Sequence, residues 1–359
     1  MALCDVCKRP QRLATQVLGI CGPCLRERAG DYEQRIRRAH ERSRGEFDLP
    51  AEPPRAPDGA VCTQCVNACR MEEGEAGFCQ ARRAQGGEIV GGEEQGVLHF
   101  YYDPLPTNCV AMPWCGGVGE VGTHNLAVFS QFCTFDCLFC QNWHFRNKRT
   151  HERPITAEEL AAAVDPRTTC ICYFGGDPTP QLPFFLRASR LALEQAAGRT
   201  LRICWETNGS MSPALAEEMM ELSLVSGGTV KFDLKAWSEE VHLGLCGVSN
   251  KRTLENFRRL ARFIAQRPEP PPLVASTLLV PGYVDAYEVR HIAQFIAELD
   301  PNIPYALLAF YPQFFTPDLP TTSRAHAMRC LEAAHEAGLL RVRLGNEHLL
   351  WSSDAEYEV

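Results

Sequence analysis

The stretch HNLAVFSQFCTFDCLFCQNW, residues 124–143, joins a short apolar run to a loop with three cysteines. Residues 126–130 are predicted to form a buried strand, because the run is short and apolar. The loop carries Cys133, Cys137 and Cys140 at the spacing C-x3-C-x2-C. Three thiolates can bind three irons of a [4Fe–4S] cube and leave the fourth iron open, whereas electron-transfer ferredoxins ligate all four irons. The loop therefore predicts a cluster that binds a ligand, with buried thiols or half of a zinc site as the alternatives.

Short apolar strands alternate with longer amphipathic helices from about residue 124 onwards, which is the pattern of a repeated βα unit. The predicted strands are residues 126–130, 169–174, 201–206, 229–234, 274–280, 305–310 and 341–344. The predicted helices are residues 156–164, 183–197, 212–222, 251–266, 286–299 and 323–337. Thr156, with Glu159 three residues later, predicts a capping box at the start of the first helix. The repeat is too short for a closed eight-unit barrel, so we predict an α/β fold, a partial (β/α)6 TIM-type barrel over residues 116–345.

The composition is that of a globular protein rich in thiols. Of 359 residues, 45% are hydrophobic and 22% are charged, and the net charge of −8 argues against a nucleic-acid partner. No apolar stretch reaches the roughly 20 residues of a membrane span, and the first residues lack a signal-peptide core, so we expect a cytoplasmic protein that does not bind a membrane. Because the cytosol keeps thiols reduced, the 18 cysteines are expected to be metal ligands and buried thiols.

A first small cysteine-rich module is predicted at residues 1–44, with a polar helix at residues 25–44. It contains two CxxC pairs, whose cysteines are Cys4, Cys7, Cys21 and Cys24. Two such pairs are the usual frame of a zinc ribbon, and an iron–sulfur centre is the alternative. Four prolines predict a semi-rigid linker at residues 45–60.

A second cysteine-rich segment is predicted at residues 61–115. Its four closely spaced cysteines are Cys62, Cys65, Cys69 and Cys79. They predict one metal centre, but their spacing does not distinguish zinc from an auxiliary iron–sulfur cluster. Cys109 and Cys115 are either further ligands or plain thiols. Residues 346–359 are predicted to be a C-terminal tail.

Glycines and polar residues follow the predicted strands at their C-terminal ends, which right-handed crossovers place on one face of the barrel. They are Gly175, Gly176 and Asp177 after the second strand, Thr207 and Asn208 after the third, and Asp233 and Lys235 after the fourth. Glycines let a ligand approach the backbone, and a carboxylate can bind an ammonium group. Asp233 and Lys235 point to one side of their strand, where a structural ion pair is the alternative to a functional one.

The cysteine loop and these strand ends together resemble the radical S-adenosylmethionine (SAM) superfamily. Within it, the run Asp233-Leu-Lys235 and the segments 245–250 and 279–282 resemble the branch of pyruvate formate-lyase activating enzyme. The second cysteine-rich segment is similar to the block that precedes the SAM motif in AmmeMemoRadiSam-type radical SAM proteins.

The resemblance implies that a [4Fe–4S] cluster on the three loop cysteines binds SAM and cleaves it reductively to a 5′-deoxyadenosyl radical, which abstracts hydrogen from a substrate. It places Phe139 on the adenine, Gly175, Gly176 and Asp177 at the methionyl end, Thr207 and Asn208 at the ribose, and Asp233 and Lys235 at SAM and the active-site mouth as the predicted catalytic residues. The expected electron donor is a flavodoxin or ferredoxin.

Three functions are compatible with the sequence. The first is a radical SAM enzyme that acts on a protein or peptide, because an open barrel leaves a wide entrance and a zinc ribbon can recognise a macromolecule. The second is radical chemistry on a C–H bond of a small molecule. The third belongs to another class, a multi-metal structural or electron-transfer module that does not cleave SAM.

Overall fold

The structure is a computed structural model that describes residues 3–9, 12–147 and 152–351, so the predicted tail lies outside it from residue 352 onwards. The strands are β1 (Ala60–Val61), β2 (Arg70–Met71), β3 (Arg83–Gln85), β4 (Glu88–Val90), β5 (Gln95–Gly96), β6 (Leu98–Pro104), β7 (His124–Ser130), β8 (Ile155–Thr156), β9 (Thr168–Gly175), β10 (Arg202–Thr207), β11 (Val230–Asp233), β12 (Leu273–Leu279), β13 (Tyr305–Ala309) and β14 (Val342–Gly345). The helices are α1 (Gly22–Arg28), α2 (Glu33–Gly45), α3 (Ala157–Ala162), α4 (Leu182–Ala196), α5 (Pro213–Ser226), α6 (Glu239–Cys246), α7 (Lys251–Ala261), α8 (Ala286–Leu299) and α9 (Arg324–Glu336).

An eight-stranded sheet in the order β14-β13-β12-β11-β10-β9-β7-β6 forms the centre of the molecule. Within this sheet, the seven strands from β14 through β9 to β7 pair in parallel, and β6 adds an antiparallel edge next to β7. Within the described residues, β6 and β14 are the two ends of the sheet and do not pair with each other. The predicted partial barrel is therefore confirmed, with one more strand than the sequence indicated.

The parallel strands are buried on both faces, as expected when helices cover a parallel sheet. All seven predicted barrel strands are present. Thr156 and Glu159 form the predicted capping box at the start of α3.

Two of the predicted helices are interrupted in the structure. The predicted helix over residues 25–44 is wrong as a single element, because a 3-10 turn at Ala29–Tyr32, which contains Gly30, separates α1 from α2. The predicted helix over residues 251–266 ends as α7 at Ala261, and a 3-10 turn at Ile264–Gln266 completes the segment.

The first cysteine-rich module packs directly on the C-terminal side of the barrel. The backbone N–H of Gly22 donates to the Gly282 carbonyl at 2.7 Å, and the N–H of Thr15 donates to the Tyr283 hydroxyl at 3.0 Å. A Cβ on Gly22 would lie 2.8 Å from the Tyr283 backbone, so this contact requires glycine.

Residues 105–121, here called the plug segment, fill the N-terminal end of the barrel. They face residues near the starts of three strands, including Cys170 and Thr229. Glu120 of the plug segment accepts from Arg202 Nη2 at 2.6 Å. The plug segment therefore lies across this end of the barrel.

None of the described helices is long and apolar enough to cross a membrane.

Candidate active site and metal centres

The cysteine loop that follows β7 is fixed from two sides. Its central residue, Asp136, is fully buried and accepts from His40 Nδ1 at 2.7 Å and from Ser43 Oγ at 3.0 Å, both on α2. Asp136 also pairs with Arg146. Its backbone N–H donates to the carbonyl of Cys246, the last residue of α6, at 2.9 Å. Burial alone would raise the pKa of Asp136, but the charges of Arg146 and His40 outweigh burial and lower it.

One cavity of about 230 Å³ lies at the C-terminal ends of the strands. It is lined by all the barrel residues that the sequence singled out, which are Cys133, Cys137, Phe139, Cys140, Gly175, Gly176, Asp177, Thr207, Asn208, Asp233 and Lys235. The structure thus brings the predicted cluster loop and the predicted strand ends together. The role of each residue stays a prediction.

Asp177 ties two strand ends together beneath this cavity. Its Oδ1 accepts from Thr207 Oγ1 at 2.9 Å and from the Asn208 N–H at 2.8 Å, and its Oδ2 accepts from the Thr179 N–H at 2.9 Å. Burial raises the pKa of Asp177, although these hydrogen bonds oppose the rise. A carboxylate offers about four acceptor positions, so one position on Oδ2 is left for a ligand.

Asn208 contacts the cysteine loop. Its Nδ2 donates to Thr134 Oγ1 at 2.8 Å and approaches Cys133 Sγ at 3.8 Å, while its Oδ1 accepts from the Ser210 N–H at 3.0 Å. The side chains of Asn208 and Thr207 are therefore already engaged with protein atoms, and their predicted contact with a ribose stays a prediction.

A charged row crosses the floor of the cavity. Asp233 accepts from Lys235 Nζ and from Lys231 Nζ, both at 2.7 Å, and from Ser276 Oγ at 2.7 Å. Lys231 also pairs with Glu206 at 3.1 Å. Burial would raise the pKa of Asp233, but the two lysines hold it well below its usual range.

Sequence reasoning missed Lys231, Ser276 and Arg146. Lys231 could have been found, because it lies two residues before Asp233 and so on the same side of the strand. Ser276 lies on the next strand and carried no local signal.

Arg146 lies in a 3-10 turn after the loop and is 3% exposed. Within the described residues, its Nε and Nη2 have no hydrogen-bond partner, although it lines the cavity beside Cys133 and Cys140. A buried guanidinium with two free N–H groups next to cysteines fits a further anionic group, and an iron–sulfur cluster on three thiolates is one.

The four cysteines of the first module form a compact metal-binding group. All four sulfurs lie within 4.8 Å of one another, with Cys4 to Cys24 at 3.9 Å and Cys7 to Cys21 at 4.0 Å. A tetrahedral zinc ion with Zn–S bonds of about 2.3 Å separates its sulfurs by about 3.8 Å. The group therefore has the dimensions of a single ion.

The sulfur atoms of the other two cysteine groups lie farther apart. Within the described part of the chain, no three sulfurs among Cys62, Cys65, Cys69 and Cys79 lie within 4.8 Å of one another, and neither do those of Cys133, Cys137 and Cys140. A wider spacing is expected when each thiolate binds a different iron of a cluster.

The second cysteine-rich segment lies against the cysteine loop. Asn67 Nδ2 donates to the Thr134 carbonyl at 2.8 Å, and the Val66 N–H donates to the Ser210 carbonyl at 2.9 Å. Cys79 and Cys133 line the same small cavity. The two groups of cysteines are therefore neighbours in space.

Comparison with known proteins places this site in a family. Residues 127–296 match the model of the Radical SAM superfamily. This stretch runs from β7 into α8 and contains the cysteine loop and the strand ends that line the cavity. Residues 127–296 are therefore a radical SAM domain, and the similarity to two activating enzymes supports a radical SAM enzyme.

Three relatives illustrate the likeness. The uncharacterized protein MJ0808 of Methanocaldococcus jannaschii is 27% identical over 305 residues, which are 79% of this chain and 80% of that protein. The isethionate sulfite-lyase activating enzyme of Oleidesulfovibrio alaskensis is 33% identical over 139 residues, 38% of this chain and 40% of that enzyme. The pyruvate formate-lyase 1-activating enzyme of Escherichia coli K12 is 27% identical over 190 residues, 49% of this chain and 69% of that enzyme.

Proposed function

We propose that this chain holds a [4Fe–4S] cluster on Cys133, Cys137 and Cys140 and uses it with SAM to abstract hydrogen from a protein or peptide. The observation that carries the proposal is the convergence of these cysteines and the predicted strand-end residues on one cavity of about 230 Å³. The bound cluster supplies the electron that cleaves SAM to methionine and a 5′-deoxyadenosyl radical.

The protein's part is to position the charged end of SAM. The remaining acceptor position of Asp177 can bind the ammonium group of the methionyl end, and Gly175 and Gly176 let that end approach the backbone. A Cβ on Gly176 would lie 2.2 Å from the Phe132 carbonyl oxygen, so the tight turn depends on glycine. Lys235, held by Asp233, offers a cation for the SAM carboxylate.

The adenosyl end is assigned to the loop and the third strand. Phe139 is 3% exposed and lines the cavity, where its ring can stack on the adenine. We keep Thr207 and Asn208 as the neighbours of the ribose, because both residues line the cavity.

A macromolecular substrate is favoured by the access to the site. The plug segment lies across one end of the barrel, so we expect a substrate to come from the strand-end side or from the open edge of the sheet. At that edge, β6 exposes Phe100, Tyr101 and Tyr102 by 38%, 48% and 46%. Tyr101 packs at 6.4 Å against Phe174, which lines the cavity. Two relatives bear the names of enzymes that activate other enzymes, which agrees with a protein substrate.

We assign different metals to the two N-terminal groups on their dimensions. The compact sulfurs of the first module suit Zn²⁺, and the wider spacing at Cys62, Cys65, Cys69 and Cys79 suits an auxiliary iron–sulfur cluster. Cys79 of the second group lies near Cys133 of the active-site loop. Because the two groups are close, an electron from a flavodoxin or ferredoxin can pass through the auxiliary cluster to the active-site cluster.

The test is SAM cleavage by the full chain after anaerobic reconstitution with iron and sulfide. With dithionite and SAM, the wild-type chain should produce 5′-deoxyadenosine, measured by chromatography. Cys140→Ala should reduce the product to background, because it removes a cluster ligand. Cys330→Ala is the matched control, since Cys330 is a fully buried thiol of α9 outside all the cysteine groups.

Two results would overturn the proposal. One is a wild-type chain with an intact cluster that forms no 5′-deoxyadenosine. The other is a Cys140→Ala chain that cleaves SAM as fast as Cys330→Ala.

A further inference from the structure

A second cavity, of about 30 Å³, lies inside the barrel between the active-site cavity and the plug segment. Its thiols and carboxylate come from the plug segment, β9 and β10, and are Cys109, Cys115, Cys170, Cys172, Cys204 and Glu206. Glu206 and Lys231 line both cavities. The small volume has room for one ion or one water molecule and excludes a substrate or a cluster.

Three of these side chains converge on a point. The sulfurs of Cys109 and Cys172 and a carboxylate oxygen of Glu206 all lie within 4.8 Å of one another. Cys109 Sγ is 3.3 Å from Glu206 Oε1. Apart from the four cysteines of the first module, this is the only group of such closeness among the described residues.

Lys231 orients the carboxylate. Its Nζ pairs with Glu206 Oε2 at 3.1 Å, which leaves Oε1 turned towards Cys109. A group that fixes a ligand from behind in this way is a regular feature of metal sites.

Simple core packing does not explain the cluster. Buried cysteines behave as small apolar side chains, but here the carboxylate of Glu206 lies among them, within 4.8 Å of two of their sulfurs. With both thiols ionised, Cys109, Cys172 and Glu206 carry three negative charges against the one positive charge of Lys231. A divalent cation balances the remaining two charges, as a buried site requires.

We propose that Cys109, Cys172 and Glu206 bind one divalent transition-metal ion of the zinc class beneath the active site. Thiolate and carboxylate ligands together suit Zn²⁺ and its borderline neighbours, and the closeness of the three atoms suits a single ion. Binding forms two metal–sulfur bonds and one metal–oxygen bond and releases the two thiol protons to solvent. Because two ligands lie on strands and one on the plug segment, the ion fastens the plug inside the barrel.

The test is the zinc content of the full-length chain, purified without oxygen from zinc-supplemented cells and counted by native mass spectrometry. The wild-type chain should hold one more zinc ion than Cys172→Ser. Cys330→Ser should match the wild type, since it removes an equally buried thiol elsewhere. Glu206→Gln keeps both thiols and should weaken retention of the same ion against a chelator at least tenfold.

The Glu206→Gln chain keeps the proposal testable if Cys172→Ser does not fold. Equal zinc content and equal retention in the wild type and both site variants would overturn the proposal, as would a Cys109–Cys172 disulfide in the anaerobic protein. The count does not depend on SAM cleavage, so the metal site and the proposed activity can fail independently.

Discussion

Asn208 illustrates how one side chain can tune the proposed cluster. Its Nδ2 approaches Cys133 Sγ at 3.8 Å, and a donor near a ligand sulfur stabilises the more negative, reduced state of a cluster. Asn208→Ala should therefore lower the reduction potential. A net hydrogen bond of about 1 kcal/mol corresponds to about 40 mV for a one-electron couple.

The measurement is a redox titration of the reconstituted cluster followed by electron paramagnetic resonance. Ser210→Ala is the control, because Ser210 Oγ lies 2.7 Å from the Thr134 hydroxyl that also binds Asn208 and does not contact the sulfur. A potential that is the same in both variants would contradict the role given to Asn208.

At the scale of residues, the sequence predicted those site residues that lie in short motifs. The cysteine loop and the strand-end residues could be read because each is a short contiguous run. Ser276 could not be predicted, because its importance depends on its hydrogen bond to Asp233 on another strand. Arg146 could not, because nothing in the sequence shows that it is buried beside the cysteines. The engagement of Asp177 by Thr207 and Asn208 likewise depends on how two strand ends meet, which spacing along the chain does not reveal.

Among the elements, α9 carries a buried histidine that should make stability depend on pH. His326 Nε2 donates to the Val284 carbonyl at 2.8 Å, and within the described residues its Nδ1 has no partner. Burial lowers the pKa of His326 from 6.5 to about 4. Between these values the unfolded chain binds the proton more readily, so this stability is complete above pH 6.5 and is lost as the pH falls towards 4.

We expect the change to be about 1 kcal/mol between pH 7.5 and 5.5. His326→Gln keeps a donor for the carbonyl but does not titrate, so the drop in unfolding free energy should shrink by that amount. Urea unfolding at the two pH values measures it. His335→Gln, an exposed position of the same helix, should leave the drop unchanged; a similar effect of both variants would contradict the prediction.

Two of the elements that the sequence analysis did not predict, α6 and β6, differ in how clearly the sequence marks them. The helix α6 has acidic residues in its first turn, at Glu239 and Glu240, and ends at Gly247 in the left-handed conformation, so its start and stop signals were present. The edge strand β6 was harder to predict, because most of its residues are exposed and no alternation of apolar and polar residues marks a buried face.

For the whole molecule, the assignment of metals to the cysteine groups is the sharpest prediction. Cys65→Ala should lower the iron content of the reconstituted chain by about four atoms if the second group holds a [4Fe–4S] cluster. Cys7→Ser should instead lower zinc and leave iron unchanged. Paired iron, sulfide and zinc analyses check both variants, and a loss of zinc rather than iron from Cys65→Ala would contradict the assignment.

The support of the cysteine loop has a consequence for biosynthesis. Asp136 is held by His40, which is made 96 residues earlier, and by the carbonyl of Cys246, which is made 110 residues later. Until the ribosome has synthesised Cys246, the loop lacks its contact with the end of α6. At that stage the three loop cysteines would not yet be held in place for iron. Cluster insertion should therefore follow synthesis of the barrel rather than accompany it. Insertion of the proposed cluster is therefore expected on a chain that is already folded around its own ligand loop.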